Sequence, residues 1–252
     1  LPRNTMGKVQ KNVLRDTFGF ASLKPEQGPV IDRVLGLDGE PGDALVVWPT
    51  GSGKSLCYQL PALALAEANE RAGRPRGVTL VFSPLIALME DQVSALRSKG
   101  VRAQYVNSTV GKKEREKRQG ALARGEIDLM YATPERMEKP AFREALSSVP
   151  GGVHLLAIDE AHCISKWGHD LRPAYQRVGE FKRELGSPRT IALTATATAA
   201  VRADIRDVLG DDEDSMPLFA TGIDRPNLSL SVEPVWDDRE KVSRIAEVNT
   251  RM

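Results

Sequence analysis

A short glycine-containing loop, residues 49–55, constrains the fold of this chain more than any other feature. Its sequence is Pro-Thr-Gly-Ser-Gly-Lys-Ser, and it lies between an apolar run and an amphipathic stretch. The two glycines let successive backbone N–H groups face one anion, and a following helix would direct its N-terminus at the same point. This order favours a P-loop nucleotide-binding fold. The alternative is a glycine-rich turn before an ordinary helix, and Trp48 stands where the generic pattern has its first glycine.

The rest of the chain repeats an alternation of strand and helix. Apolar runs typical of buried parallel strands lie at 44–48, 78–82, 129–131, 155–158 and 190–193. Amphipathic stretches typical of helices lie at 55–71, 85–99, 112–124, 140–147 and 199–209. The alternation predicts an α/β fold with a mostly parallel central sheet and helices on both faces. Such a sheet binds ligands beyond the carboxyl ends of its strands.

The loop residues have expected roles in binding a nucleotide. Lys54 would bring a positive charge to the outer phosphates, and the Ser55 hydroxyl would bind Mg²⁺. The backbone N–H groups expected to face the phosphates belong to Thr50, Gly51, Ser52 and Gly53.

Two adjacent carboxylates, Asp159 and Glu160, follow the apolar run at 155–158. Neighbouring like charges at the end of a buried strand are unfavourable unless a cation lies beside them. Asp159 would bind Mg²⁺ through water, and Glu160 would orient and deprotonate the attacking water. The alternative is a solvated Asp-Glu turn.

Composition limits the other possibilities. The net charge is +1, with 35 basic and 34 acidic side chains, so any nucleic-acid site must be a local groove. Two cysteines exclude a disulfide framework or a four-cysteine zinc site within this chain. No apolar run reaches the roughly 18 residues that a membrane helix needs.

The chain length of 252 residues suits one large domain, or one domain with a fragment of a second. The acidic stretch at 211–214 indicates a surface loop, and Pro226 interrupts any strand at 224–228. Apolar and polar residues then alternate at 228–232, as in a new strand. We therefore predict one domain over 1–222, followed at 223–252 by a linker and the start of a second domain.

The segment after the two acids carries the most specific match to a known family. Residues 159–173, which read DEAHCISKWGHDLRP, resemble the signature of the RecQ helicases, with Lys166 and Leu171 where that family usually has Gln and Phe. Further RecQ-like blocks lie in the family's order at 18–27, 53–61, 83–93, 131–136, 192–197 and 224–228. The resemblance covers nearly the whole chain and identifies it as the first RecA-like motor domain of a RecQ-type helicase of superfamily two.

The resemblance implies ATP and Mg²⁺ as cofactors. Gln27 would then read the adenine edge, and Phe20 would stack on the adenine ring. Lys24 would take the place of an arginine that clamps the nucleotide, although lysine lacks the planar fork of arginine.

The resemblance also implies a DNA site. The segment 165–175 is similar to an aromatic-rich loop that senses single-stranded DNA, and its rings and cations can stack on bases and meet phosphates. Ser83 and Thr133 would donate to the DNA backbone, and the motif that contains Thr194 would link DNA to the ATP site. The residues expected to bind DNA or couple it to ATP are Ser83, Thr133, Lys166, Trp167, His169, Arg172, Tyr175, Thr194 and Thr196.

The implied function is an ATP-dependent 3′-to-5′ DNA helicase module that acts on single-stranded and forked DNA in repair and recombination. It would work with the second RecA-like domain of its parent protein and without a membrane, in the bacterial cytoplasm (nucleoid) or the eukaryotic nucleus. Two alternatives stay open. One is a nucleotide- and DNA-binding fragment that is inactive without the second motor domain. The other is an RNA helicase of the DEAD-box type, against which the segment after His162 argues.

Overall fold

The computed structural model describes residues 3–166, 173–222, 232 and 234–250. The chain divides into two compact units, Leu1–Gly222 and Ile223–Met252. All of the strands described lie in the larger unit, and the described part of the smaller unit contains the helix Asp238–Thr250. The strand predicted at 228–232 falls almost wholly outside the described residues, so the assignment of the smaller unit to a second RecA-like domain stays a prediction.

Seven parallel strands form one sheet among the described residues. They are β1 (Ala44–Val47), β2 (Val78–Phe82), β3 (Ala103–Val106), β4 (Leu129–Ala132), β5 (Val153–Ile158), β6 (Arg189–Thr194) and β7 (Leu218–Ala220). Their order across the sheet is β3-β4-β2-β5-β6-β1-β7. Because every pair is parallel, all carboxyl ends lie on one edge of the sheet, the carboxyl edge, where ligands bind in this class of fold.

Helices connect the strands. They are α1 (Arg3–Asp16), α2 (Gln27–Leu35), α3 (Leu56–Arg71), α4 (Ile86–Ser98), α5 (Lys112–Ala123), α6 (Pro140–Ser147), α7 (Pro173–Gln176), α8 (Val178–Glu184), α9 (Ala199–Leu209) and α10 (Asp238–Thr250). Two 3₁₀ helices, Pro134–Glu138 and Ala161–Ile164, follow β4 and β5.

The hydrophobic core has two parts, one on each face of the sheet. Val46 and Val81 lie in the part covered by α1 to α4, whereas Leu45 and Leu80 lie in the part covered by α5, α6, α8 and α9. Neighbouring strand residues alternate between faces, so both faces must be covered to bury continuous apolar runs. This explains why the central strands are mostly apolar rather than alternately polar.

The predicted α/β class is confirmed, and all five predicted strands and all five predicted helices are present with shifts of at most two residues at their ends. The sequence did not predict β3, β7, α1, α2, α7, α8 or α10. Among the described residues, no helix combines the length and apolar character needed to cross a membrane.

Candidate active site

The P-loop lies between β1 and α3 at the carboxyl edge. Gly51 and Gly53 have φ values of +82° and +93°, in the left-handed region that side chains disfavour. At Gly53 there is also no room, because a Cβ atom would lie 2.7 Å from Nε2 of Gln27. The spacing of glycines in the loop therefore follows from the turn itself and from the close approach of α2.

Lys54 is held within the loop. Its Nζ donates to the main-chain carbonyls of Trp48 at 2.8 Å and Pro49 at 3.1 Å. These are neutral acceptors, which a phosphate oxygen can replace with a stronger charge-assisted bond. Lys54 is thus positioned to exchange backbone contacts for a nucleotide phosphate.

The two acids follow β5, which is separated from β1 by β6 alone. Asp159 is 8% exposed, and its amide donates to the carbonyl of Phe82 at 2.8 Å. Burial, together with the charge of Glu160, raises the pKa of Asp159 to about 6, while Lys54 acts in the opposite direction. A carboxylate disfavoured in this way is stabilised by a nearby cation.

Glu160 has a left-handed backbone conformation with φ of 50° and ψ of 47°. Its Oε2 lies 3.2 Å from Nδ1 of His162, and the hydrogen bond to His162 lowers the pKa of Glu160. Glu160 therefore stays ionised at neutral pH, as a proton acceptor requires.

His162 links the acids to the strand end of β6. Its Nδ1 is 2.9 Å from the hydroxyl of Thr194, and that hydroxyl donates to the carbonyl of Thr196 at 3.1 Å. Because the Thr194 proton is used, the Nδ1–H of His162 is the donor and is shared between the Thr194 hydroxyl and Oε2 of Glu160. Two predicted coupling residues, Thr194 and Thr196, thus connect to Glu160 through one imidazole.

Two of the three residues expected to bind adenine, Gln27 and Lys24, contact the P-loop. The amide of Gln27 donates to the carbonyl of Gly53 at 3.1 Å and accepts from the backbone N–H of Lys24 at 3.0 Å. One N–H and one lone pair of this amide could serve a base edge, but Gln27 is 3% exposed, so a base would reach it only after local movement. Nζ of Lys24 donates to the carbonyl of Ser52 at 3.0 Å, and Phe20 is 51% exposed, so its ring is available for stacking.

The predicted DNA contacts are only partly brought together. Ser83 and Thr133 follow adjacent strands, β2 and β4, at the carboxyl edge. Ser83 is 2% exposed, so its hydroxyl would need local movement to reach a phosphate. Lys166 is exposed. Trp167, His169 and Arg172 lie outside the described residues.

The prediction that Tyr175 stacks on a base is wrong in this structure. Its ring is fully buried in the core, and its hydroxyl donates to the carbonyl of Asp159 at 3.4 Å. Burial leaves no face of the ring open to a ligand. The hydroxyl of Tyr175 instead bonds to the backbone of Asp159, the first residue of the acid pair.

The site suits Mg²⁺ chemically. Ser55 and Asp159 offer oxygen ligands, and Mg²⁺ commonly binds one or two such groups together with substrate phosphates and waters. Among the described residues, no cluster of three or more His, Cys, Asp or Glu side chains forms an all-protein metal cage. The buried Asp159 carboxylate, whose pKa is raised, is the observation that favours a cation here.

Several known proteins are similar to this chain. The sequence matches the DEAD/DEAH box helicase family over residues 24–204. It is 39% identical over 244 residues to the probable ATP-dependent DNA helicase RecS of Bacillus subtilis, covering 96% of this chain and 45% of that protein. It is 39% identical over 233 residues to the ATP-dependent DNA helicase RecQ of Haemophilus influenzae, covering 92% of this chain and 35% of that protein. The chain therefore spans less than half the length of these relatives.

A solved structure supports the fold. The crystal structure of the DUF1998 helicase MrfA bound to DNA has a TM-score of 0.66 to this chain, with 20% sequence identity, covering 88% of this chain and 30% of that one. At this identity the likeness is one of fold.

A P-loop beside an acid pair and a histidine, on one edge of an all-parallel sheet, defines a RecA-like NTPase domain of the helicase type. The chain belongs to the DEAD/DEAH box helicase family, and its identity to RecQ-family helicases across most of its length makes it a RecQ-type motor domain.

Proposed function

We propose that this chain binds Mg-ATP and single-stranded DNA and couples ATP hydrolysis to 3′-to-5′ strand separation in DNA repair and recombination. The observation that carries the proposal is the convergence of the P-loop lysine and the acid pair. Lys54 lies close enough to Asp159 and Glu160 to influence the pKa of both carboxyl groups. A phosphate-binding cation and a base-and-metal pair at one point are what phosphoryl transfer to water requires.

The residues divide the chemistry between them. Lys54 would hold the outer phosphates, and Ser55 and Asp159 would hold Mg²⁺, which would supply positive charge to offset that of the phosphates. Glu160, kept ionised by His162, accepts the proton of the attacking water. Hydrogen bonds of His162 and Thr194 connect Glu160 to the loop after β6.

The DNA part of the proposal rests on the carboxyl edge. Thr133 follows β4 at that edge and Lys166 is exposed, and both carry groups that can bind phosphates. Relatives at 39% identity are named as DNA helicases, which supports DNA rather than RNA as the substrate and makes a DEAD-box RNA helicase the less supported alternative. The polarity and the role in repair are proposed from the resemblance to the RecQ family.

A second candidate function is nucleotide and DNA binding without efficient turnover. It is favoured by the coverage of the relatives, since 55% or more of each relative has no counterpart in this chain. Helicase motion needs two motor domains that close around ATP. We propose that the second domain belongs to the same parent protein.

Calorimetric titration of the chain with Mg-ATP and Mg-GTP tests the nucleotide site. We expect ATP to bind more tightly, because Gln27 offers a donor and an acceptor that match the adenine edge. Lys54→Ala serves as the control and should weaken both nucleotides. Equal affinity for ATP and GTP would remove the base-reading role of Gln27, and no binding of either would refute the site.

A further inference from the structure

A chain of hydrogen-bonded side chains lies beneath the P-loop and ends on the predicted metal ligand. Gln59 Nε2 donates to the hydroxyl of Tyr131 at 3.1 Å, which donates to the hydroxyl of Tyr58 at 3.4 Å. Tyr58 donates to Oε1 of Gln92 at 2.6 Å. Gln92 Nε2 then donates to Oγ of Ser55 at 3.4 Å. We refer to these five residues as the relay.

The relay is buried at its centre. Tyr58 and Tyr131 are 1% and 0% exposed, and their rings pack edge to face with centroids 6.3 Å apart. Burial, with the nearby charge of Asp159, raises the pKa of both phenols, so both stay protonated and able to donate. Polar groups in such surroundings are costly unless bonded, which favours the complete chain over any broken one.

All donors in the relay point toward Ser55. The short bond from Tyr58 occupies Oε1 of Gln92 and so fixes which end of the amide faces Ser55. The Ser55 hydroxyl therefore accepts from Gln92 at one lone pair, and its second lone pair can bind a cation.

We infer that Gln92 is a positioning residue for Ser55, and that Tyr58 sets the orientation of the Gln92 amide. The inference rests on the proposed function, in which Ser55 binds Mg²⁺. Gln92 lies on α4, after the strand end at Ser83, and Tyr131 lies on β4, two residues before Thr133. The orientation of Ser55 therefore depends on α4, which follows the predicted DNA contact Ser83, and on β4, which ends just before the predicted DNA contact Thr133.

Two variants of the chain test the relay. Gln92→Met keeps the length of the side chain and removes the amide. We expect it to raise the Mg²⁺ concentration for half-maximal binding of a fluorescent ADP about tenfold, since removing a group that orients a metal ligand typically lowers metal affinity 10- to 100-fold. Tyr58→Phe keeps the ring and releases the amide, so it should change Mg²⁺ dependence in the same direction by less.

Matched controls lie on β3, outside the relay. Gln104→Met and Tyr105→Phe make the same chemical changes and should leave the Mg²⁺ dependence as in the unmodified chain. For both relay variants, ADP affinity in EDTA should also be unchanged, because only the metal-dependent contribution passes through Ser55. Thermal melting of every variant checks that the fold is retained.

The outcomes separate the inference from the proposed function. Unchanged Mg²⁺ dependence in folded Gln92→Met or Tyr58→Phe would overturn the role of the relay. An equal loss of affinity with Mg²⁺ and with EDTA would also overturn it, since that result indicates a general structural defect. If instead the unmodified chain binds ADP without any response to Mg²⁺, the proposed metal site itself fails.

Discussion

Glu160 combines an unusual backbone with a charged side chain. Few residues other than glycine adopt its left-handed conformation, and the conformation directs its carboxylate to Nδ1 of His162. We expect Glu160→Gln in the intact helicase to reduce ATP hydrolysis by about 10²- to 10⁴-fold, because the amide cannot accept the proton of water. Nucleotide affinity should persist, since Asp159 and Lys54 are unchanged. Single-turnover hydrolysis and ADP binding measure the two effects.

Glu116→Gln, an exposed change on α5, is the control for that experiment. Hydrolysis by Glu160→Gln at the rate of the control would show that another group acts as the base. A parallel loss of nucleotide affinity would mean that Glu160 binds rather than activates.

Sequence patterns predicted the site residues unevenly. The P-loop and the acid pair are local in sequence, so their spacing alone predicts their chemistry. Tyr175 is different, because a ring among charges has the same pattern whether it points outward or into the core. The bond from Gln92 to Ser55 joins residues 37 positions apart, which no local pattern can reveal.

At the edge of the sheet opposite the carboxyl edge, one carboxylate links the starts of three strands. Asp128 precedes β4 and accepts from Arg76, before β2, at 2.9 Å and from Arg102, before β3, at 2.7 Å. Burial raises the pKa of Asp128, but the hydrogen bonds from Arg102 and Arg76 lower it by more. The ionised carboxylate therefore stabilises the junction of three adjacent strands.

We expect Asp128→Asn to lower the free energy of unfolding by about 1–3 kcal/mol at neutral pH. A fully buried pair would lose more, but the Arg102 side chain is 42% exposed and can be solvated. Because the folded pKa is lowered, the contribution is present above the ordinary aspartate pKa of about 3.9 and is lost as pH falls below it. Urea unfolding at several pH values measures this, with Glu126→Gln as an exposed control. A stability difference that did not shrink in acid would contradict the ionic explanation.

Helices α8 and α9 approach closely at Gly179. A Cβ atom there would overlap the carbonyl oxygen of Val208, which belongs to the backbone of α9 and cannot rotate away. We expect Gly179→Ala to destabilise the fold by about 1–3 kcal/mol or more. Gly7→Ala, in α1 with nothing near its Cβ position, should instead stabilise by about 0.5–1 kcal/mol. Thermal melting distinguishes the two, and equal melting temperatures would contradict the predicted close packing.

The strands buried on both faces of the sheet were the ones predicted from sequence. β7 is a three-residue edge strand that is partly exposed, and β3, the other edge strand, carries half-buried Gln104 and Tyr105. Neither presents the continuous apolar run that indicates a central strand. Pairing with β1 and β4 forms these strands, and that pairing is a tertiary effect.

As a whole molecule, the chain is predicted to bind nucleotide without unwinding DNA. An arginine finger in P-loop enzymes raises the rate about 10³–10⁵-fold. The resemblance to the RecQ family implies that this arginine belongs to the second motor domain. We expect hydrolysis by the 252-residue chain to be at least about 10³-fold slower than by the intact helicase. ATPase and forked-duplex assays on both proteins measure the difference. Unwinding by the chain at a rate near that of the intact helicase would refute the need for a second motor domain.

Trp48, whose carbonyl accepts from Lys54, also has an indole ring that is 1% exposed. If a nucleotide takes Lys54 from that carbonyl, a positive charge will move relative to a buried fluorophore. The emission of a buried indole responds to such changes in local field, whereas Trp236 is 95% exposed and emits as a solvated ring does. The third tryptophan, Trp167, has to be replaced by Phe so that Trp48 alone reports on the site. The residue that replaces the first glycine of the P-loop pattern therefore gives the site an intrinsic optical reporter, which can follow nucleotide binding on the stopped-flow timescale without a label.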